Sequence, residues 1–184
     1  FRSSLAAMSL FGAAYTLVGY GMGSVSTPEV VVFLDVDGVL HSAKGDQDLF
    51  QPHCCSYLRR IVEETGASIV LSSAWRLYYG TLFKVNEVLM RLRLPPAVGV
   101  TADFGGRPRE EEICQWLDEH PGVKSWIAID DMPLDRGQSQ PFLRWYVPSS
   151  PASARMVGHF VKTVPEVGLT EGDVSLAISL LKQQ

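Results

Sequence analysis

Short, continuously apolar runs alternate along this chain with longer stretches in which apolar residues recur every three or four positions. Residues 30–34, Val-Val-Val-Phe-Leu, are apolar throughout and mostly β-branched, and residues 68–71 and 125–129 form similar runs that each begin with a serine. Runs of this kind that stop at turn residues suit strands buried on both faces of a parallel sheet. Helical patterns lie between them. Pro52 opens one over 52–65, with Tyr57, Leu58, Ile61, Val62 and Thr65 on one face and Gly66 placed for a left-handed stop. Residues 81–94 carry Leu82, Val85, Val88, Leu89 and Leu92 on one side, and Pro95-Pro96 ends that helix. Over 107–120, Pro108 stands near the first turn, acids come early, and Ile113, Trp116 and Leu117 face inward. A capping-box-like start at 170–173 introduces a closing helix with Val174, Ala177, Ile178 and Leu181 inward. Residues 97–100 and 159–164 read as two further strands. Strands alternating with helices predict an α/β domain over 29–184, a parallel sheet with helices on both faces.

Two stretches fall outside that rhythm. Residues 132–158 read as an irregular insert with Pro133, Pro141, Pro148 and Pro151; within it, 142–147 (Phe-Leu-Arg-Trp-Tyr-Val) suits a strand or an aromatic docking patch. Residues 3–28 contain no Asp, Glu, Lys or Arg, and 5–22 are mostly apolar and small. A helix over 5–22 would run on the order of 27 Å at about 1.5 Å per residue, close to the thickness of a hydrocarbon core. Gly19 and Gly23 have the spacing of a small-residue contact between membrane helices. Residues 1–28 therefore read as an apolar anchor or docking helix plus linker, held in a membrane or against membrane-embedded partners. A cleaved signal core is a third reading, and the segment's presence in the chain argues against it. Phe1 in place of Met points to a segment removed upstream.

Composition narrows this picture a little. With 184 residues, 46% of them hydrophobic, the chain can bury a substantial core and does not read as disordered. A net charge of −4 gives no general nucleic-acid footprint. Cys54, Cys55 and Cys114 make neither a disulfide framework nor a spaced metal motif, and read as small buried residues compatible with a reducing compartment. The expected location is membrane-associated and organellar, with the α/β domain on a reducing side.

The candidate chemistry collects where apolar runs end. Asp35 and Asp37 follow the first run and precede Gly38. Ligands of open α/β sheets sit beyond the carboxyl ends of the strands. Paired carboxylates there suit a nucleophile with an acid/base, or a hard cation; aspartates bonding their own turn are the plainer alternative. Ser72 ends the second run, where a hydroxyl can hold a phosphate oxygen or simply cap a helix. Asp130 and Asp131 end another run and offer the other half of a cation site with oxygen ligands. Arg107 and Arg109 open a helix and can meet an anion or lie solvated.

Taken in order, these residues resemble the motifs of the haloacid dehalogenase-like (HAD) phosphohydrolases. Asp35-Val36-Asp37-Gly38-Val39 is similar to the first motif, Ser72 after Ile69-Val70-Leu71 to the second, and Asp130-Asp131 after Trp126-Ile127-Ala128-Ile129 to the fourth. For the basic third motif Arg109 is the first choice, with Arg107 and Lys124 behind it. Residues 65–76 and Gly168-Leu169-Thr170 are similar to the branch named for the phosphatase-like domain of Swiss-army-knife RNA repair proteins, so the resemblance spans about 29–182. It implies a HAD-like Rossmannoid domain with a minimal cap. It also implies roles: Asp35 as nucleophile forming an aspartyl-phosphate, Asp37 as acid/base, and Ser72 and Arg109 holding phosphate. Mg²⁺ would be bound by Asp35, the Asp37 backbone carbonyl, and Asp130 or Asp131. The expected function is a Mg²⁺-dependent phosphate-ester hydrolase tethered to a membrane or membrane complex, acting on a phosphorylated substrate such as a macromolecular phosphate end. The alternative is a non-catalytic HAD-like accessory subunit of an organellar membrane protein assembly. The apolar N-terminus and aromatic insert favour the alternative, and the intact acids favour the enzyme.

Overall fold

A computed structural model describes residues 27–44, 49–136 and 150–183. Five strands, β1 (Val30–Leu34), β2 (Ser68–Leu71), β3 (Gly99–Val100), β4 (Ser125–Asp130) and β5 (Phe160–Lys162), form one sheet in the order β3-β2-β1-β4-β5. Every pairing is parallel, with Leu34 opposite Leu71 on one side and Ile129 on the other. The helices are α1 (Pro52–Thr65), α2 (Tyr79–Arg91), α3 (Arg109–Glu119), α4 (Pro151–Met156) and α5 (Glu171–Gln183).

Alternation along β1 sorts the helices onto two faces. Val32 and Leu34 pack with Leu58 and Ile61 of α1, Val85 and Leu89 of α2, and Val174 and Ala177 of α5. Val31 and Phe33 pack on the other face with Ile113 and Trp116 of α3 and Met156 of α4. Phe33 meets Trp116 and Trp126 edge-on at 5.3 and 5.9 Å, the geometry aromatic quadrupoles favour. Fully apolar strands are thus covered on both sides, which is why β1, β2 and β4 read as unbroken runs rather than alternating ones.

The helix starts follow local chemistry. Gly66 takes φ 69° and its N–H closes on the Val62 carbonyl, a left-handed stop for α1. Thr170 and Asp173 exchange hydrogen bonds, Thr170 N–H to Asp173 Oδ2 at 2.9 Å and Asp173 N–H to Thr170 Oγ1 at 3.3 Å. That is a capping box, and α5 begins there.

Several boundaries differ from the sequence pattern. The helix expected at 81–94 runs Tyr79–Arg91. Pro95 disfavours helical geometry at Leu94, and Arg93 turns left-handed at φ 60°, so the chain leaves the helix before the prolines. The helix expected at 107–120 runs Arg109–Glu119, with Pro108 just before it in extended geometry. The strands expected at 97–100 and 159–164 shrink to Gly99–Val100 and Phe160–Lys162, as edge strands commonly do. Within 132–158, expected to be irregular, lie a 3-10 turn at Leu134–Arg136 and helix α4, capped by Ser150 Oγ accepting from Ser153 N–H. The aromatic stretch 142–147 and the apolar N-terminal helix expected at 5–22 lie outside the described residues. Among the described residues, no helix is long and apolar enough to cross a membrane.

Candidate active site

The parallel ladder carries the candidate residues to one end of the sheet. Asp35 N–H bonds the Ile129 carbonyl (3.0 Å) and Ser72 N–H bonds the Leu34 carbonyl (3.0 Å), so the residues leaving β1 and β2 stay in register beyond the strands. Asp130 is the last residue of β4. Asp35, Ser72 and Asp130 therefore converge at the carboxyl end of the sheet.

Asp35, Asp130 and Asp131 bring one carboxylate oxygen each to within 4.8 Å of one another. Arg109, at the first position of α3, closes this group. Its Nη1 lies 3.0 Å from Asp35 Oδ2 and bonds Asp130 Oδ2 as well. The other Asp130 oxygen accepts from Met132 N–H at 2.8 Å. Burial, and then the charge of Asp35, push the Asp130 carboxyl up to about 7, with Arg109 opposing. Burial and the Asp35 charge also raise Asp131. Burial alone would lower the Arg109 guanidinium, but the charges of Asp35 and Asp130 more than reverse that and its net shift is upward. Three carboxyl groups crowd one guanidinium, so acids outnumber bases in the group. That balance, and an all-oxygen donor set, fit a hard divalent cation such as Mg²⁺.

Of the three basic candidates, the structure brings one to the acids. Arg107 lies over the Phe104 ring at 4.8 Å. Lys124 pairs with exposed Glu29 at 2.6 Å, at the amino end of β4. Arg109 alone of the three meets Asp35.

The two serines divide their roles. Ser73 Oγ accepts from Trp75 N–H and caps the 3-10 turn Ala74–Leu77. Ser72 is buried and its Oγ has no hydrogen-bond partner. A buried hydroxyl without a partner costs stability, and a phosphate oxygen is a partner it can take.

Asp37 stands apart from the acidic group. Its side chain is 51% exposed. His41 Nε2 lies 2.9 Å from Asp37 Oδ1, and Trp75 Nε1–H donates to Oδ2 at 2.8 Å. The His41 hydrogen bond lowers the Asp37 carboxyl against the opposing effect of burial, and Trp75 adds to the lowering. The Asp37 carboxylate is therefore outside the group that could hold a cation; the expected role for Asp37 there was through its backbone carbonyl.

The surrounding loops are braced. Gly38 has φ 69°, and a Cβ there would sit 2.6 Å from Asp131 Oδ2, so glycine is required for both conformation and space. Thr163 Oγ1 donates to the Gly38 carbonyl at 2.7 Å and Leu169 N–H to the Val39 carbonyl at 2.9 Å. Arg76 is buried and pairs with Glu112 of α3 at 2.6 Å. It also donates to the carbonyls of Ser72, Ser73 and Thr101. It ties the Ser72 loop to the helix that carries Arg109. Sequence reading saw Trp75 and Arg76 as parts of a familiar stretch and gave neither a task. The sequence signal for His41 is its spacing of four from Asp37.

Strand order, the chemistry at the strand ends and the sequence of motifs together define a domain of the HAD-like phosphohydrolase class. Residues 31–174 match the family model described as the HAD domain in Swiss Army Knife RNA repair proteins, and the chain belongs to that family. Among curated proteins, none matches the chain.

Proposed function

We propose that this chain is a Mg²⁺-dependent phosphate-ester hydrolase working through an aspartyl-phosphate on Asp35. One observation supports this most: Asp35 and Asp130 are buried at the sheet end against Arg109 while Asp37 stands beside them, exposed and separately held. A nucleophile wants a fixed carboxylate, and the Arg109 contact at 3.0 Å fixes Asp35. An Asp35 oxygen attacks phosphorus and forms the new P–O bond. The bond to the leaving oxygen breaks with its electron pair on that oxygen, which takes a proton from Asp37. In the second half, Asp37 takes a proton from water as that water's oxygen attacks phosphorus and the Asp35–phosphorus bond breaks. Ser72 Oγ and Arg109 hold non-bridging oxygens. Asp35, Asp130 and Asp131, with the Asp37 carbonyl, would hold Mg²⁺, which supplies charge neutralisation for phosphoryl transfer.

The substrate class follows from access. Asp37 and Trp75 lie at an exposed rim, which suits a phosphate at the end of a large molecule. The family's description as domains of RNA repair proteins makes a phosphorylated oligonucleotide end one member of the test panel. The uncharged stretch 5–22 supports a tether to a membrane or a membrane-embedded partner; retention in the pellet after alkaline extraction, lost on deleting residues 1–24, is the expected result.

Activity is tested with the full chain and Mg²⁺ on alkyl, aryl and oligonucleotide-end phosphates. Wild type should release phosphate. Asp35→Asn should lose on the order of 10⁴-fold or more, as removal of a nucleophile does, with the fold retained by circular dichroism. Equal inactivity of both proteins on every ester would instead favour the accessory-subunit reading.

A further inference from the structure

His41 is buried, polar, and used by no step above, yet it makes a connected set of contacts at the site. Its Nε2 faces Asp37 Oδ1 at 2.9 Å, and its Nδ1 faces the Phe50 N–H at 3.5 Å. An amide N–H directed at Nδ1 makes that nitrogen the acceptor, so the hydrogen sits on Nε2 and is donated to Asp37. Phe50 holds its amide there in a left-handed conformation, φ 59°, which a non-glycine residue rarely adopts. Phe50 and Trp75 also wall the imidazole, with ring centroids 5.6 and 5.8 Å from it and 5.4 Å from each other. The ring has little freedom to rotate away.

We infer that His41 is a positioning residue for the acid/base: its Nε2–H fixes Asp37 Oδ1, turns the carboxylate away from the acidic group of Asp35, Asp130 and Asp131, and leaves Oδ2 as the oxygen that exchanges protons. This rests on the hydrolase reading. Two features carry it. The carboxylate is two residues from a group of acids that would share a cation, and an unheld Asp37 has that group as a competing destination. The two clamps also differ: the His41 side is buried, whereas the Trp75 hydrogen bond to Oδ2 lies at the exposed surface. Oδ2 is thus the oxygen a leaving group can reach. During the first half-reaction the proton leaves Oδ2 for the departing oxygen; during the second, Oδ2 takes a proton from water. His41 keeps its own hydrogen throughout.

A residue that acts through a general acid matters in proportion to how much the leaving group needs a proton. An alkyl phosphate expels a strongly basic oxygen, whereas p-nitrophenyl phosphate expels one that departs as the anion. In the full-length protein with Mg²⁺, His41→Leu removes the donor and fills the buried site. Its kcat should fall about 100-fold on glycerol phosphate and less than about 10-fold on p-nitrophenyl phosphate, with KM nearly unchanged for both. His41→Gln, which keeps an N–H, should recover part of the alkyl-ester loss. Equal losses on the two esters, or no loss, would overturn the inference while leaving the hydrolase standing. No turnover by wild type on either ester would overturn both. Should His41→Leu fail to fold, the imidazole nitrogens of the wild-type protein decide the matter by long-range proton–nitrogen correlation spectra. Hydrogen on Nε2 alone, perturbed by Asp37→Asn, is expected; hydrogen on Nδ1 overturns the inference.

Discussion

The two halves of the site hold their carboxylates in opposite ways. On the inner half, Asp35 and Asp130 are buried at strand ends and answered by a full charge, the Arg109 guanidinium. On the outer half, Asp37 stands half-exposed on a turn and is answered by two N–H donors from His41 and Trp75. The inner arrangement fixes charge. Its members depend on one another, because a buried ion left alone costs several kcal/mol. The outer arrangement fixes direction. An exposed carboxylate needs little help to stay ionised in water, but it needs neighbours to choose one rotamer. The half that must not move is built from charges on the sheet, and the half that must pass protons is built from aromatic neighbours on loops.

The strongest way to break the contrast is to remove the inner cation. Arg109→Met should destabilise the metal-free protein by about 3–5 kcal/mol, since it strands Asp35 and Asp130 without their partner. Chemical denaturation measures this, and added Mg²⁺ should restore a large part. A loss below about 1 kcal/mol would mean that the inner acids do not depend on Arg109.

A smaller effect comes from pH. The folded Asp130 carboxyl is pushed up to about 7 by burial and by the Asp35 charge, against about 3.9 in an unfolded chain. The folded state holds that proton more tightly, so the resulting stability is fully present below about pH 4 and is lost as pH rises toward 7. Melting temperatures of metal-free protein should fall across that window. The fall should be shallower in Asp130→Asn, and Mg²⁺ at pH 7 should raise the wild-type melting temperature. An identical slope in Asp130→Asn would remove Asp130 as the cause.

The smallest effect sharpens the outer half. Trp75→Phe keeps a ring beside His41 and Phe50 but removes the N–H on Asp37 Oδ2. A hydrogen bond to a charged group is worth about 1.5–3 kcal/mol, and this one is weakened by its exposed position, so kcat should fall about tenfold. A fall beyond about 100-fold would show that Trp75, not His41, is the main hold on Asp37.

The same contrast explains what the sequence disclosed. Strand ends were legible because β1, β2 and β4 are buried on both faces and therefore read as unbroken apolar runs, which placed Asp35, Ser72 and Asp130 at one end of the sheet. The resemblance ranked Arg109 ahead of Arg107 and Lys124, but spacing alone did not separate the three. Each has a plausible solvated state, and what separates them is three-dimensional: Arg109 opens α3 beside the acids, Arg107 falls back onto Phe104, and Lys124 sits at the amino end of β4. Ser72 had two readings, phosphate ligand or helix cap, and the cap of the turn at Ala74–Leu77 is Ser73 instead. His41 was hidden because a polar loop residue looks exposed in sequence, and its burial depends on Phe50 and Trp75 folding over it. The helix end near Arg93 was misplaced because propensity and proline position say little about where a left-handed residue will stop a helix, and β3, expected over 97–100, is shorter at Gly99–Val100.

The brace behind the Asp37 turn bears on the order in which the protein is made. Thr163 Oγ1–H and Leu169 N–H donate to the Gly38 and Val39 carbonyls, and Ala43 N–H donates to the Pro165 carbonyl. These anchors are synthesised more than a hundred residues after the turn they support. A chain arrested on the ribosome before Thr163 already contains Asp35, Asp37, Ser72, Arg109 and Asp130, yet it lacks these three hydrogen bonds behind the Asp37 turn. The brace is completed only once residues 163–169 have emerged, so termination before them yields the reactive residues without the hydrogen bonds that support the Asp37 turn.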